Sequence, residues 1–127
     1  MIQRKSLAIC KPTDILFNQI ENMTSSRCGC LLIEDDDGKL IGIFTDGDFR
    51  RAIQSYDDNT LNSELKDLMT ENPWTITKDE MAYDSMKEME RTDQLMSKKR
   101  IKELPVVNSK NQIEGLLLLH DLVEFGL

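Results

Sequence analysis

The apolar and polar positions along this chain occur twice in the same order. LLIEDDDGKLIG, residues 31–42, reads as an apolar run, a polar turn, a second apolar stretch and a closing glycine. LPVVNSKNQIEG, residues 104–115, has the same length of twelve and the same layout. The register continues past both glycines: Ile43-Phe44 matches Leu116-Leu117, and Asp48 matches Asp121. Upstream, Pro12-Thr13-Asp14 matches Thr77-Lys78-Asp79 as a helix start. Such self-similarity marks a duplicated structural unit. Two diverged units are expected, 6–56 and 72–127, joined by 57–71, with the second unit lengthened somewhere in 90–100.

Each unit predicts the order β-α-β-β-α. Leu7-Ala8-Ile9-Cys10 is a short apolar run ahead of Pro12, hence a short strand. Thr13 or Asp14 can cap a helix whose Ile15, Leu16, Phe17, Ile20 and Met23 fall near helical spacing. A strand over 30–34, a turn on Asp36-Asp37-Gly38 and a strand over 39–44 come next, because Asp-Gly between apolar runs signals a hairpin. The last helix starts between Thr45 and Asp48 and turns Phe49, Ala52 and Ile53 inward. The second unit predicts a strand at Trp74-Thr75-Ile76 and a helix from Asp79 with Met81, Ala82, Met86 and Met89. Strands over 104–108 and 112–118 and a helix from His120 complete it. LNSELKDLM, 61–69, reads as an amphipathic linker helix with Leu61, Leu65, Leu68 and Met69 on one side. The expected fold class is α/β (α+β by some schemes), with the two repeats packed by pseudo-twofold symmetry. A unit of about 55 residues is marginal alone. Two units sharing a core leave a cleft between them, lined twice by equivalent residues, where a ligand would sit.

Composition narrows the function. The 127 residues are 39% hydrophobic and 31% charged, as in one compact soluble domain. A formal charge of -7 argues against nucleic acid, whose phosphates need a basic surface. No apolar run approaches the roughly 20 residues of a membrane span. MIQRKSLAIC has no long apolar core and no small-residue cleavage site, so a cytoplasmic protein is expected. Three cysteines, Cys10, Cys28 and Cys30, make no disulfide framework. Cys28-Gly29-Cys30 is C-x-C, and the single histidine, His120, is remote in sequence. Partly buried thiols on a strand are expected there, not a metal site. Glu34-Asp35-Asp36-Asp37-Gly38 fails as a calcium loop, since Gly38 at loop position six puts Ile33 and Phe44 at the end positions where acids are required. It reads as a solvated hairpin tip.

Thr45 to Arg51 carries the chemistry. A helix N-terminus offers free N–H groups and the positive end of a dipole, which favour an anion. There Thr45 can bond a phosphate oxygen, Asp48 can accept from a ribose diol, and Arg50 or Arg51 can add a charge-assisted contact. Thr45 and Asp48 can equally form a capping box with no ligand at all. The second copy, GLLLLHDL at 115–122, keeps the aspartate as Asp121 but replaces Thr45 with Leu118. At most one fully equipped site follows. One histidine builds no nucleophilic triad, and no phosphate-loop or dinucleotide glycine motif is present, so no catalytic residue is expected.

These residues resemble a known family. Gly42-Ile43-Phe44-Thr45-Asp46-Gly47-Asp48 is similar to the nucleotide-site signature of a CBS domain. Leu104-Pro105-Val106-Val107-Asn108 resembles its LPVVD strand, and Asp67-Leu68-Met69-Thr70 with Asn72-Pro73 resembles the lead into a second repeat. GIFTDGDFRRA and LLLLHDLVEFGL further resemble the C-terminal CBS pair (Bateman module) of D-arabinose-5-phosphate isomerases, which carry an N-terminal SIS domain. The connection at 90–100 is longer here, and the SIS domain, which holds that family's catalytic residues, is not in this chain. The resemblance therefore implies no enzyme activity and no required cofactor for this chain.

It implies a regulatory module that senses a nucleotide or nucleotide-sugar such as CMP-Kdo, a product of the lipopolysaccharide-sugar pathway. Adenine nucleotides, AMP or ATP, are the generic CBS alternative. Thr45 and Asp48 would contact phosphate and ribose, Arg50 or Arg51 a phosphate or carboxylate, and Gly29-Cys30 the base or sugar through backbone. Trp74, Thr75 and Ile76 would close the pocket. A weaker symmetric pocket would use Asp121, His120, Lys102, Glu103 and Ala8-Ile9. The partners implied are the SIS domain and a second copy of the chain. The competing expectation is a dimerising module with Phe17, Phe49, Tyr83 and Phe125 at its interface.

Overall fold

In the computed structural model, residues 1–26, 28–55, 59–79 and 102–118 are described. Two four-stranded sheets organise them. Their strands are β1 (Ile2–Gln3), β2 (Ile9–Cys10), β3 (Cys30–Glu34), β4 (Leu40–Thr45), β5 (Thr70–Glu71), β6 (Ile76–Thr77), β7 (Glu103–Val107) and β8 (Ile113–Leu118). The helices are α1 (Leu16–Ser25), α2 (Asp46–Gln54) and the single turn α3 (Leu65–Leu68). The first sheet runs β2-β3-β4-β5 and the second β6-β7-β8-β1. In each, a parallel pair is followed by two antiparallel ones. Among the described residues, the strands of the expected α/β repeat are therefore laid out twice.

The edge strands are exchanged. β5 leads into the second unit but completes the first sheet, and β1 leads into the first unit but completes the second. Each glycine that closes a hairpin makes this possible. Gly42 lies opposite Glu71 in β5, and a Cβ on it would come within 2.3 Å of Met69 Sδ. Gly115 lies opposite Gln3 in β1, and its Cβ would come within 2.5 Å of the Ile2 carbonyl.

Both faces of the first sheet are covered, which is why its strands read as near-continuous apolar runs. Cys30, Leu32, Leu40 and Ile43 pack against Val107, Ile113, Leu116 and Leu118 of the second sheet. Leu31, Ile33 and Phe44 face the other way, onto Leu16 and Met23 of α1 and Leu65 of α3. A one-residue bulge keeps each hairpin in phase: Ile33 pairs with Gly42 but Glu34 with Leu40, and Val106 with Gly115 but Val107 with Ile113.

The hairpin tips repeat too. Asp35 Oδ1 accepts from the N–H groups of Asp37 and Lys39, and Asn108 Oδ1 from those of Lys110 and Gln112, at 2.9 Å each. Gly38 (φ +80°) and Asn111 (φ +63°) hold the left-handed corner. The tips also grip each other: Leu40 N–H donates to Asn111 O, and Asn111 Nδ2 donates to Leu40 O. A buried carboxylate adds a second tie. Arg4 donates to Glu34 at 3.2 Å and to the Ile113 carbonyl at 3.3 Å, bridging the two hairpins.

Several local expectations are corrected. Neither Thr13 nor Asp14 caps α1. Asp14 Oδ2 accepts from Lys11 N–H, and the first amide of α1, on Leu16, donates to the Ser63 carbonyl. A backbone partner from the linker takes the role of a side-chain cap. That pairing keeps Ser63 and Glu64 extended, bridged to Ile15, so the helix expected over 61–69 is a 3-10 turn (Thr60–Asn62) and the single turn α3 instead, with β5 following. The strand expected at 74–76 is Ile76–Thr77, and the one at 7–10 is Ile9–Cys10. Phe17 and Ile53, placed inside by spacing, are exposed at 61% and 52%. Met81, Ala82, Tyr83, Met86, Met89, the 90–100 insertion and the helix from His120 through Phe125 lie outside the described residues. No helix among the described residues is long and apolar enough to cross a membrane.

The strand exchange makes a direct prediction. Gly115→Ala meets backbone, which cannot rotate away, and should cost roughly 1–3 kcal/mol as overpacking does. Urea unfolding checks it; a stability equal to wild type would show that β1 does not hold its place against β8.

Candidate functional site

The site begins where β4 runs out and α2 starts. Thr45 is extended (φ -103°, ψ 168°), and the helix follows immediately. Asp48 N–H donates to Thr45 Oγ1 at 3.2 Å, and Thr45 N–H donates to Asp48 Oδ2 at 2.9 Å. This is a complete capping box with aspartate at its third position. The next amide, on Asp46, donates to the Gly29 carbonyl at 3.1 Å. The turn before β3 and the start of α2 are thus tied by backbone. Gly29 has φ +63°, a left-handed value suited to glycine.

The cap leaves chemistry to spare. Thr45 accepts with its oxygen, so its hydroxyl proton is still available to donate. Asp48 Oδ2 holds the cap, while Oδ1 pairs with the exposed Arg51 guanidinium. Arg50 pairs with Asp46 at 3.1 Å, one turn apart. Surface pairs of this kind are worth about 0–1 kcal/mol, so an anionic ligand competes for either arginine at small cost.

These residues form one wall of a cleft of ≈ 580 Å³, inside the usual range for small-molecule sites. Thr45, Asp46, Gly47, Asp48, Arg50 and Arg51 line that wall. Cys28, Gly29 and Ile43 form the floor, and Thr70, Pro73 and Trp74 come from the chain leading into the second unit. Lys102 and Glu103 at the start of β7 face them. Three cations and three carboxylates therefore share one cavity. Partial burial pushes the Glu103 carboxyl up; neighbouring Lys102 lowers it, and Asp48 and Cys28 raise it further.

The two thiols at the floor are coupled. The neighbouring Cys30 thiol holds the Cys28 thiol well below its ordinary value, against burial, which raises it. The Cys28 thiol, with burial, pushes Cys30 up. Ser26 Oγ lies 3.5 Å from Cys28 Sγ and adds to the lowering. Cys10 is elsewhere, buried beside Gln19, and burial pushes it up to about 12.

Of the residues singled out by sequence, Thr45, Asp48, Gly29, Arg50 and Arg51 are brought together here. Lys102 and Glu103, expected in the symmetric pocket, line this one, because the second unit's β7 begins across from α2. Cys30 is fully buried in the core between the sheets and sits beneath the cleft. Trp74 lines it as expected, joined by Pro73, whereas Thr75 and Ile76 do not, since the strand begins two residues later than expected. Asp121 and His120 lie outside the described residues. Ala8 and Ile9 line a separate concavity of ≈ 360 Å³ with Lys5, Asn22 and Ser25. Sequence reasoning missed Thr70 and Cys28 as lining residues. Only the pairing of β5 with β4 brings Thr70 near, whereas Cys28 was flagged by its spacing. No group of three or more acidic, cysteine or histidine side chains among the described residues could hold a metal ion.

The CBS domain family model matches residues 2–55 and 65–127. Arabinose 5-phosphate isomerase KdsD of Francisella tularensis is 34% identical over 128 residues, covering 99% of this chain and 36% of that protein. The chain thus spans about a third of the length of the curated relatives it matches. A crystal structure of CBSX2 in complex with AMP superposes with TM-score 0.78 at 24% identity, covering 99% of this chain and 91% of that one. The CBS domain pair of MJ0100, in complex with 5′-methylthioadenosine and S-adenosyl-L-methionine, gives TM-score 0.79 at 23% identity, covering 98% and 91%.

Two outcomes are expected from the site itself. Thr45→Ala removes the cap and should cost about 1 kcal/mol, roughly 4 °C in melting temperature for a domain of this size. For Glu103, a raised carboxyl means the folded chain holds its proton more tightly than the unfolded chain does. Stability then falls as pH rises from the ordinary value of 4.5 through the raised one. Glu103→Gln should flatten that fall, raising the melting temperature at neutral pH and leaving it nearly unchanged in acid. A parallel pair of melting curves would reject this cause.

Proposed function

The chain belongs to the CBS domain family, and from that premise we propose that its paired repeats sense a nucleotide-type effector in the cleft at the start of α2. The observation that carries this reading is the double service of the α2 N-terminus. Thr45 and Asp48 complete the cap and at the same time line the cleft, with Arg50, Arg51 and Lys102 around the same cavity. A phosphate would take the Thr45 hydroxyl proton and a guanidinium, and a ribose diol would donate to Asp48. Glu103, opposite, would select against a second negative group unless protonated.

The ligand class is argued from the neighbours. Two proteins of this fold were crystallised with AMP and with 5′-methylthioadenosine and S-adenosyl-L-methionine. Adenosine is common to these, so adenine nucleotides stand ahead of CMP-Kdo. The attached activity is argued from the curated relatives, several of which are named arabinose 5-phosphate isomerases. In this reading the pair is the regulatory part of such an isomerase, and the catalytic SIS domain belongs to the parent protein. The effector would act through different affinities for two states of that parent. The exposed Phe17 favours a second copy as partner. A module that only dimerises is the competing reading.

Calorimetry with AMP, ATP, S-adenosylmethionine and CMP-Kdo tests the site. AMP or ATP should bind, and no heat from any of the four to a folded chain would leave dimerisation as the reading. Gly47→Ala separates ligand from cap. The added methyl would sit 3.5 Å from the Arg51 guanidinium and 3.7 Å from Thr45 Oγ1, within the cleft wall, without a clash. Stability should hold, since alanine suits a helix better than glycine, while affinity falls about tenfold, or about 1.4 kcal/mol.

A further inference from the structure

Cys28 and Cys30 are the nucleophilic groups that the nucleotide reading leaves unused. Cys28 opens onto the cleft, and Cys30 lies directly beneath it in the core between the sheets. The residue between them, Gly29, is left-handed at φ +63°. The chain therefore bends just before β3, and both thiols belong to one core cluster between the sheets. Lys102 lines the same cavity, along with Glu103 and Asp48. A thiol that lines a cleft, with a hydroxyl 3.5 Å from its sulfur and a second thiol two residues on in the same core cluster, has the layout of an attacking and a resolving cysteine.

We propose that Cys28 and Cys30 are an oxidisable dithiol in the floor of the cleft, with a hydroperoxide as the oxidant and a disulfide as the product. The Cys28 sulfur attacks the peroxide O–O bond. An S–O bond forms, the O–O bond breaks, and the departing oxygen leaves as water or an alcohol after taking a proton. Cys28 is then a sulfenic acid. The Cys30 sulfur attacks it, the S–S bond forms, the S–O bond breaks, and water leaves with the Cys30 proton. The sulfur pair has lost two electrons and the peroxide has gained them.

The product acts on the cleft through Gly29. Its carbonyl accepts the first amide of α2, from Asp46, at 3.1 Å. A disulfide closed across Gly29 changes the backbone there and so shifts the acceptor that seats the Thr45–Asp48 cap. Trp74, the single tryptophan of the chain, lines the same cavity and reports the shift. Cys10 is an internal control: it is buried in the other core cluster and does not line the cleft.

The test is a peptide map of the reduced whole chain after one equivalent of hydrogen peroxide. Cleavage after Arg27 and Lys39 isolates both thiols in one peptide. That peptide should lose the mass of two hydrogens, reversibly with dithiothreitol, while Cys10 remains alkylatable. Cys28 should react at least about tenfold faster than Cys10, and Trp74 fluorescence should shift in step. In Cys30→Ser, dimedone should trap a sulfenic acid at Cys28; in Cys28→Ser, Cys30 should stay unmodified. Cys10 reacting as fast as Cys28, or a Cys28 sulfenic acid that accumulates in the wild-type chain without closing, would overturn the proposal. The wild-type map needs no substitution, so a misfolded variant cannot obscure it. It also needs no nucleotide, so its failure is separate from failure of the ligand reading.

Discussion

The face-to-face contact between the two sheets is the constraint on which the rest of this structure depends. Leu32, Leu40 and Ile43 from one sheet bury themselves against Ile113, Leu116 and Leu118 from the other. Neither hairpin has another way to cover that face, and a unit of this size buries too little alone. The contact is reinforced at both ends, by Arg4 between Glu34 and the Ile113 carbonyl and by the paired hairpin tips. Because each sheet also takes its edge strand from the other unit's leader, the two repeats are interlocked as well as packed. The cleft follows from this arrangement. It lies where α2 of the first unit comes opposite the start of β7, and Lys102 and Glu103 enter it only because the sheets are held in that register.

The start of α2 shows how structural and ligand-binding demands can coexist. A cap uses one oxygen of Thr45 and one oxygen of Asp48. The remaining hydroxyl proton and carboxylate oxygen face a solvent-filled cavity with arginines held only by surface ion pairs. Capping and binding thus draw on different atoms of the same two side chains. The thiol pair below is joined to this helix through the Gly29 carbonyl, so the floor and the wall of the cleft form one mechanical unit.

Much of this was legible in the chain. The twelve-residue repeat located both hairpins, because strands buried on both faces leave long apolar runs and their turns need Asp, Gly or Asn at set places. Thr45, Asp48, Arg50 and Arg51 were legible as a cluster because they are neighbours along one helix start. The less legible parts depended on partners distant in sequence. Asp14 looked like a cap, but the amide it would serve is taken by Ser63. The 61–69 segment has helical spacing, yet its pairing with Ile15 holds part of it extended. Phe17 and Ile53 fall on plausible inner faces and are exposed, since periodicity does not tell how wide the covered stripe is.

The amino-acid sequence by itself determined the duplication, the α/β class, the hairpin registers and the cap chemistry at Thr45 and Asp48. All of these rest on interactions between residues close in the chain or on a pattern carried by each strand. Tertiary structure alone decided which unit each edge strand joins and which cleft receives Lys102 and Glu103. It also decided that Cys28 lines the cleft while Cys30 does not. Those outcomes depend on how two buried faces align in space, a relation between segments some seventy residues apart, such as Leu40 and Asn111, that no local pattern encodes.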